Sequence, residues 1–479
     1  MFFKLLKGSI LLPSLLFWSG ITLVYGEGYL PLSWQWSAPD SFNPTSELAF
    51  YEDSVIVSGL NRVYAIDLKT GNIKWQFPLS EPFSGRFHWG PVLSGDLVIV
   101  GADYAVEALD AATGHLRWLY QAPKKLIAPP CMTSAFVVLA LEDQSLVAIY
   151  RSNGKIAWRT PYRIFEGIRG YPVTYQNLVL VLTRKSTMLA LDIVREKIIW
   201  EIPFTQFFVD ARPIVYGDKV HVMDGSFLKV FDPRNGRLIE SKDTRETPLT
   251  NPAVSVYGQA VISEEGHLLW INPHQKEFRS KLFGFRPIPG TTLAWVGKNI
   301  ITFDPYGVIQ LFNPIKGELL WSYYFPEMVH VLGGVLKPLS SKVTPPTYLQ
   351  STLFVWSSHG TLSAFNDQTG VDLTAPSVQM ESPHSGDEVF ARTPLEVVFK
   401  FEDLGAGVNP YSLKVYLDGL EVKYHYYFDG RLHVSLGMNG QNSTLSPGRK
   451  VFKVVIADWF GNKKEHLFAL YAVSPTARS

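Results

Sequence analysis

Residues 65–75 read AIDLKTGNIKW and residues 108–118 read ALDAATGHLRW. The same frame returns as AIYRSNGKIAW from Ala148, ALDIVREKIIW from Ala190, VFDPRNGRLIE from Val230, WINPHQKEFRS from Trp270, LFNPIKGELLW from Leu311 and AFNDQTGVDLT from Ala364. The third positions are Asp67, Asp110, Tyr150, Asp192, Asp232, Asn272, Asn313 and Asn366, spaced 43, 40, 42, 40, 40, 41 and 53 residues apart. A repeat near 42 residues is the length of one four-stranded propeller blade. Within a copy, apolar residues alternate into an Asx turn, glycine supplies a left-handed backbone, and a second strand leaves carrying tryptophan. Each copy is therefore a hairpin, and eight in-phase copies predict an all-β fold: an eight-bladed β-propeller over residues 30–375.

The structural residues of this repeat are Ala65, Asp67, Gly71 and Trp75 in the first copy, and Ala108, Asp110, Gly114 and Trp118 in the second. Trp158, Asp192, Trp200, Asp232, Gly236, Asn313, Gly317, Trp321, Asn366 and Gly370 continue the pattern. Each tryptophan is expected to wedge between neighbouring blades, and burying such a ring stabilises by about 2–3 kcal/mol. Pro91, Pro130, Pro172, Pro213 and Pro252 fall 19 or 20 residues before the Asx position and are expected to open the strand nearest the axis. The eighth copy has Thr374 where Trp belongs, so its outer strand is missing. Residues 33–39, SWQWSAP, match the outer strands KWQFPL and RWLYQAP but follow no turn. Trp34 and Trp36 are thus expected to supply the absent strand and close the ring, which removes the exposed edges of an open array.

The motif A-x-D-x-x-T-G-x-x-x-W resembles the pyrroloquinoline-quinone (PQQ)-type propeller repeat. Copies one and two match throughout, whereas Tyr150 replaces the acid in the third, Glu196 the glycine in the fourth and Lys276 the glycine in the sixth. Resemblance to the quinoprotein dehydrogenases implies a calcium-bound quinone on the axis, a catalytic Asp and a disulfide between adjacent cysteines. Cys131 is the only cysteine, so that disulfide cannot form, nor can a CxxCH haem site or a cysteine-based zinc cluster. Blades of 40–43 residues also leave little chain for a cofactor chamber. No catalytic, cofactor-binding or metal-binding residue is assigned, and no cofactor is expected; PQQ with calcium is the alternative. The repeated acids sit around the ring and cannot converge on one metal, so they are read as acceptors for turn amides. Cys131, beside Pro129 and Pro130, reads as a small buried hydrophobe. Arg86, His88 and Trp89, with Arg169, Asp210 and Arg212, fall at the phase that rings the channel mouth, where a peptide or small anion can bind. The longer interval between Trp321 and Asn366, with Gly333-Gly334 and Pro345-Pro346, reads as a rim loop.

Lys plus Arg is 44 against Asp plus Glu 43, and without Lys4 and Lys7 it is 42 against 43, so no basic face for nucleic acid is implied. Lys4 and Lys7 precede an uncharged run from Ser9 to Val24, followed by Tyr25-Gly26, which reads as a signal peptide over residues 1–26 or an uncleaved anchor. Membrane contact is expected only through that segment. The chain is read as exported, periplasmic or extracellular. From residue 376 to 479 the repeat gives way to about seven short alternating strands, a β-sandwich. DLGAGVNPYSLKVYLDG (403–419) and LSPGRKVFKVVIADWFGN (445–462) resemble bacterial immunoglobulin-like modules. In such modules Asp403, Asp418 and Asp458 sit at turns and either bind calcium at a domain edge or close turns through their own side chains. Asn442-Ser443-Thr444 is a glycosylation sequon, meaningful only in a eukaryotic secretory pathway. The expected function is a non-enzymatic scaffold at the bacterial cell envelope whose partners are other envelope proteins or an extracellular ligand. The propeller resembles the outer-membrane assembly BamB type, from which the sandwich and the lack of a lipid-attachment cysteine set it apart. A periplasmic quinoprotein dehydrogenase, or its degenerate relative, and a surface carbohydrate-binding or adhesion protein are the alternatives.

Overall fold

The structure, a computed structural model, describes residues 31–39, 47–78, 87–206, 211–332, 335–366, 372–391, 394–437 and 445–474. The amino-terminal segment, Arg86, Asp210, Gly333, Gly334, Gly370 and the sequon at 442–444 lie outside the described residues. Seven four-stranded antiparallel sheets follow one another over residues 49–78, 87–121, 131–163, 168–203, 214–243, 253–281 and 292–324, with strand order equal to chain order. An eighth is built from Thr347–Leu349, Thr352–Trp356 and Thr361–Asn366, with Leu32–Ser37 as its fourth strand. Central strands read as continuous apolar runs, such as Leu97–Ala102 (LVIVGA) and Leu178–Thr183 (LVLVLT), because both faces are covered by neighbouring sheets. Ile99, Ala108 and Trp118 of the second sheet pack on Leu139 and Ile149 of the third, and Ala140 and Trp158 of the third on Val181 and Leu191 of the fourth. First strands of successive sheets, such as Ile168–Tyr175 and Ile214–Tyr216, approach one another and so lie innermost. This is a β-propeller.

The last sheet is closed by the amino-terminal strand. Trp34 pairs with Ala364, Gln35 with Ser363 and Trp36 with Leu362. Gln35 Nε2 donates to Ser363 Oγ at 3.0 Å, and the amide of Asn366 donates to Pro31 O at 2.9 Å. The Trp36 ring lies 4.9 Å from that of Tyr64 in the first sheet and 6.5 Å from that of Trp356 in the eighth. Trp34 and Trp36 thus pack in one apolar cluster with Val55, Val57, Phe354 and Leu362.

Two details differ from the sequence reading. Pro130, Pro213 and Pro252 directly precede their strands, but Pro91 and Pro172 lie inside Phe87–Ser94 and Ile168–Tyr175. The pairing register is interrupted at both, between Trp89 and Val92 and between Arg169 and Val173, so neither proline removes a ladder hydrogen bond. The rim interval after Trp321 is not wholly loop: Val329–Leu332 and Val335–Pro338 pair as a small hairpin.

Residues 377–473 form two packed sheets. One has the order Ser377–Ser382, Leu395–Glu402, Arg431–Leu436, His425–Tyr427; the other runs Glu388–Phe390, Lys463–Val473, Gly448–Ala457, Lys414–Leu417, Leu420–Glu421. Val397, Phe399, Val415, Leu432, Phe452 and Val454 fill the space between them, a β-sandwich of nine strands where seven were expected. Short strands account for the difference: two and three residues of alternation, as in Leu420–Glu421 and Glu388–Phe390, carry no readable period. The sandwich docks on the seventh blade. Ala406 and Trp459 enter the same apolar cluster as Leu319, Trp321 and Tyr323, and Phe283 stacks on Tyr411 at 5.4 Å.

Candidate functional site

The repeated acids serve their own turns. Asp67 Oδ1 accepts from the amides of Lys69 (3.0 Å) and Thr70 (2.9 Å), and Asp110 Oδ1 from those of Ala112 (3.1 Å) and Thr113 (2.9 Å). Asp192, Asp232 and Asn313 make the equivalent bonds to Val194 and Arg195, to Arg234, and to Ile315 and Lys316. The Arg117 guanidinium and Thr113 hydroxyl hold the Asp110 carboxyl down at about 2. In the third copy Tyr150 has no carboxylate, and Asn153 Oδ1 takes the amide of Lys155 as Asn235 Oδ1 takes that of Arg237 in the fifth. Asn366, at the end of the eighth copy, donates through Nδ2 to Thr352 Oγ1 at 2.7 Å. In the sixth copy the turn is one residue shorter: the Asn272 amide bonds to Lys276 O, whereas that of Asp67 bonds to Asn72 O. Gln275, not Lys276, therefore takes the left-handed backbone at φ 59°. In the fourth copy it is Glu196, at φ 52°.

The tryptophans lock each blade to the next. Trp34, Trp75, Trp118, Trp158 and Trp200 donate through Nε1 to the carbonyls of Leu68, Ala111, Arg151, Ile193 and Pro233, each the residue after the Asx position of the following blade, at 2.8–3.1 Å. The rings of Trp34, Trp75, Trp118 and Trp200 cover Gly71, Gly114, Gly154 and Gly236, where an added Cβ would lie 2.5–3.0 Å from the indole. Motif glycine and motif tryptophan are thus partners across blades, not within one. Ala65, Ala108 and Ala190 sit opposite Trp75, Trp118 and Trp200 in the strand ladder and leave room for the indole. Two blades depart. Ser280, at the tryptophan position of the sixth copy, donates to Ile315 O at 3.1 Å, a substitute legible only from its place in the frame. Trp321, expected to wedge against the next blade, instead donates to Ala406 O of the sandwich at 2.9 Å.

Side chains that converge lie on the axis. One cavity of about 460 Å³ takes lining from all eight blades: Glu47, Trp89, Ile127, Arg184, Arg212, Asn251, Thr291 and Lys342 are among them. A second, wider opening of about 1000 Å³ is lined by Cys131, Thr133, Gln176 and Asn177, and the two share Glu47, Tyr171 and Arg212. Of the mouth residues named from sequence, Trp89 and Arg212 line the cavity; His88 turns aside to Asp103, 3.3 Å away, and Arg169 is not among the lining residues. Glu47, Arg184 and Lys342 were missed because they fall outside the repeat frame. Burial pushes the Cys131 thiol up to about 12, which makes it unreactive.

One group among the described residues has the donors for a hard cation. Asp372, Asp403 and Asp458 meet where the propeller passes into the sandwich, with carboxylate oxygens within 4.8 Å of one another. Asp372 accepts from the amides of Thr374 (2.9 Å) and Ala406 (2.8 Å), Asp403 from that of Gly405 (2.8 Å) and Asp458 from that of Asn462 (2.8 Å). All three thus close turns. Asp418 is apart from them, bonded to Lys450 Nζ and the Val451 amide. Burial raises the Asp403 carboxyl to about 6, and burial with the Asp372 charge raises that of Asp458.

Residues 33–162 and 129–268 match the family model described as "Outer membrane protein assembly factor BamB". The chain is a PQQ-like β-propeller repeat protein. BamB from Moraxella catarrhalis superposes with a TM-score of 0.56 at 15% identity, covering 70% of this chain and 99% of that one. The computationally designed Ika8 protein gives 0.53 at 15%, covering 69% and 98%. A quinohemoprotein alcohol dehydrogenase from Comamonas testosteroni gives 0.48 at 14%, covering 72% and 79%. No curated protein matches the chain in sequence. The axial donor set does not fit a calcium-bound quinone. Among the described residues, Glu47 is the single carboxylate lining the two axial openings, and the acidic trio lies instead at the junction with the sandwich.

Proposed function

We propose that this protein is an exported, non-enzymatic scaffold of the bacterial cell envelope that docks other envelope proteins on its propeller rim and sandwich. The observation that carries the reading is that the repeat's acids and indoles are engaged in turns and blade joints, while the face where each outer strand enters the next blade presents aromatic rings to solvent. On that face Phe165 is 88% exposed, Tyr104 50% and Phe227 41%. Aromatic residues on variable rim loops are favoured contact points for partners. The match to a family named for outer-membrane protein assembly supports the same reading. A photo-crosslinking residue at Phe165 in envelope preparations is expected to trap one discrete partner, and Phe165→Ala should weaken that partner's binding to purified protein by about 1–2 kcal/mol. Dye-linked alcohol or sugar oxidation by the purified chain after addition of PQQ and calcium, with no crosslink, would overturn the proposal in favour of a dehydrogenase.

A further inference from the structure

The axial cavity gathers basic side chains. Among the described residues, Arg184, Arg212 and Lys342 line it with one carboxylate, Glu47, whose Oε1 stands 3.9 Å from an Arg212 terminal nitrogen, beyond hydrogen-bond length. Arg212 Nε is buried with no hydrogen-bond partner. Trp89 Nε1, of another residue lining this cavity, is likewise buried and unpartnered, its ring held edge-on against Tyr171 at 5.8 Å. An orphaned buried donor is costly, and two orphaned donors on residues lining one cavity are the arrangement a site keeps for an acceptor that arrives from outside. Guanidinium geometry favours a planar oxyanion bound through two parallel N–H groups. Ile127, Leu249 and Val343 supply apolar wall to the same space.

We propose that this cavity receives a carboxylate carried on an apolar body, with Arg212 as the main anchor and the Trp89 indole as a second donor. The site lies on the axis, away from the rim surface that docks proteins, and does not depend on that reading. The carboxylate has two sources, the free C-terminus of a peptide or a small organic acid, and the wider opening beside the cavity admits either.

Calorimetry on the full chain tests it with three probes: N-acetyl-trileucine with a free carboxylate, the same peptide as its C-terminal amide, and hexanoate. Binding of the free-acid peptide, with the amide weaker by about tenfold or more, is expected from loss of the charge-assisted pair. Hexanoate binding as tightly as the peptide identifies a small acid as the source, and weaker binding identifies a peptide end. Arg212→Gln is expected to reduce affinity at least about tenfold, and Trp89→Phe, which keeps an aromatic ring and removes the N–H, about threefold to tenfold, with circular dichroism unchanged. Failure of all three probes to bind at millimolar concentration overturns the proposal. So does equal binding of acid and amide, or an Arg212→Gln affinity equal to the parent's. Should Arg212→Gln not fold, Trp89→Phe and Arg184→Gln carry the same test.

Discussion

Glycine 114 shows, at the level of single atoms, the joint that four blades share. Its φ of +72° is a left-handed conformation that glycine adopts freely, and its missing side chain is where the Trp75 ring of the previous blade lies. Two separate demands, backbone and packing, fall on one residue. The alanine Cβ would stand 2.5 Å from the Trp75 ring, so Gly114→Ala is expected to destabilise by about 2–4 kcal/mol through overpacking added to left-handed strain. With Trp75→Ala already present the clash is gone and only strain of about 1 kcal/mol remains. Urea unfolding of the two single variants and the double variant measures this. Costs that simply add would show that the ring and the glycine are not partners.

At the scale of strands, the amino-terminal ribbon Leu32–Ser37 pairs with a strand more than three hundred residues away in sequence and packs its indoles on the first blade, so its detachment opens the edge of Thr361–Asn366 and the joint to that blade alone. Trp34→Ala removes the indole that donates to Leu68 O and covers Gly71, and is expected to cost about 3 kcal/mol. Hydrogen–deuterium exchange should rise at 32–37 and 361–366 while blades two to five stay protected; Trp118→Ala should raise exchange at the second and third blades instead. Uniform exchange across the ring in Trp34→Ala would contradict a local seam. This closure was readable because SWQWSAP repeats the outer-strand pattern without its turn, and a gap at one end matched a surplus at the other. The channel was less readable. Trp89 and Arg212 stand two and one residues before repeat prolines, but Glu47, Arg184 and Lys342 lie in connections whose lengths vary, and no period locates them. The destination of Trp321 was misread for a different reason: sequence phase says where an indole points within its blade, and nothing in that phase shows that Ala406, 85 residues on, occupies the receiving position.

For the molecule as a whole, the sandwich acts as a clasp on the seam. The turn from Leu404 to Ala406 presents three successive carbonyls to the propeller: Leu404 O accepts from the Tyr323 hydroxyl at 3.0 Å, Gly405 O from the Leu32 amide at 3.4 Å, and Ala406 O from Trp321 at 2.9 Å. One turn thereby holds the seventh blade and the closing strand together. That turn is backed by Asp372, Asp403 and Asp458, three carboxylates gathered at partly or fully buried positions. The Asp403 carboxyl is raised to about 6 by burial first and by the charges of Asp372 and Asp458 after it. Because its folded value exceeds the ordinary 3.8 of the unfolded chain, the folded state holds the extra proton, and stability falls as pH climbs from near 4 until the group is ionised above 6. Asp458, raised in the same sense, adds to the fall. Asp403→Asn keeps an oxygen for the Gly405 amide and removes the charge, so at pH 8 it is expected to stabilise the clasp by about 2–3 kcal/mol, with little effect at pH 4. Unfolding free energies of parent and variant at pH 4, 6 and 8 decide it: a difference that does not grow with pH would place the acidic trio outside the energetics of the joint, leaving the carbonyl turn and the Trp459 packing to hold the sandwich alone.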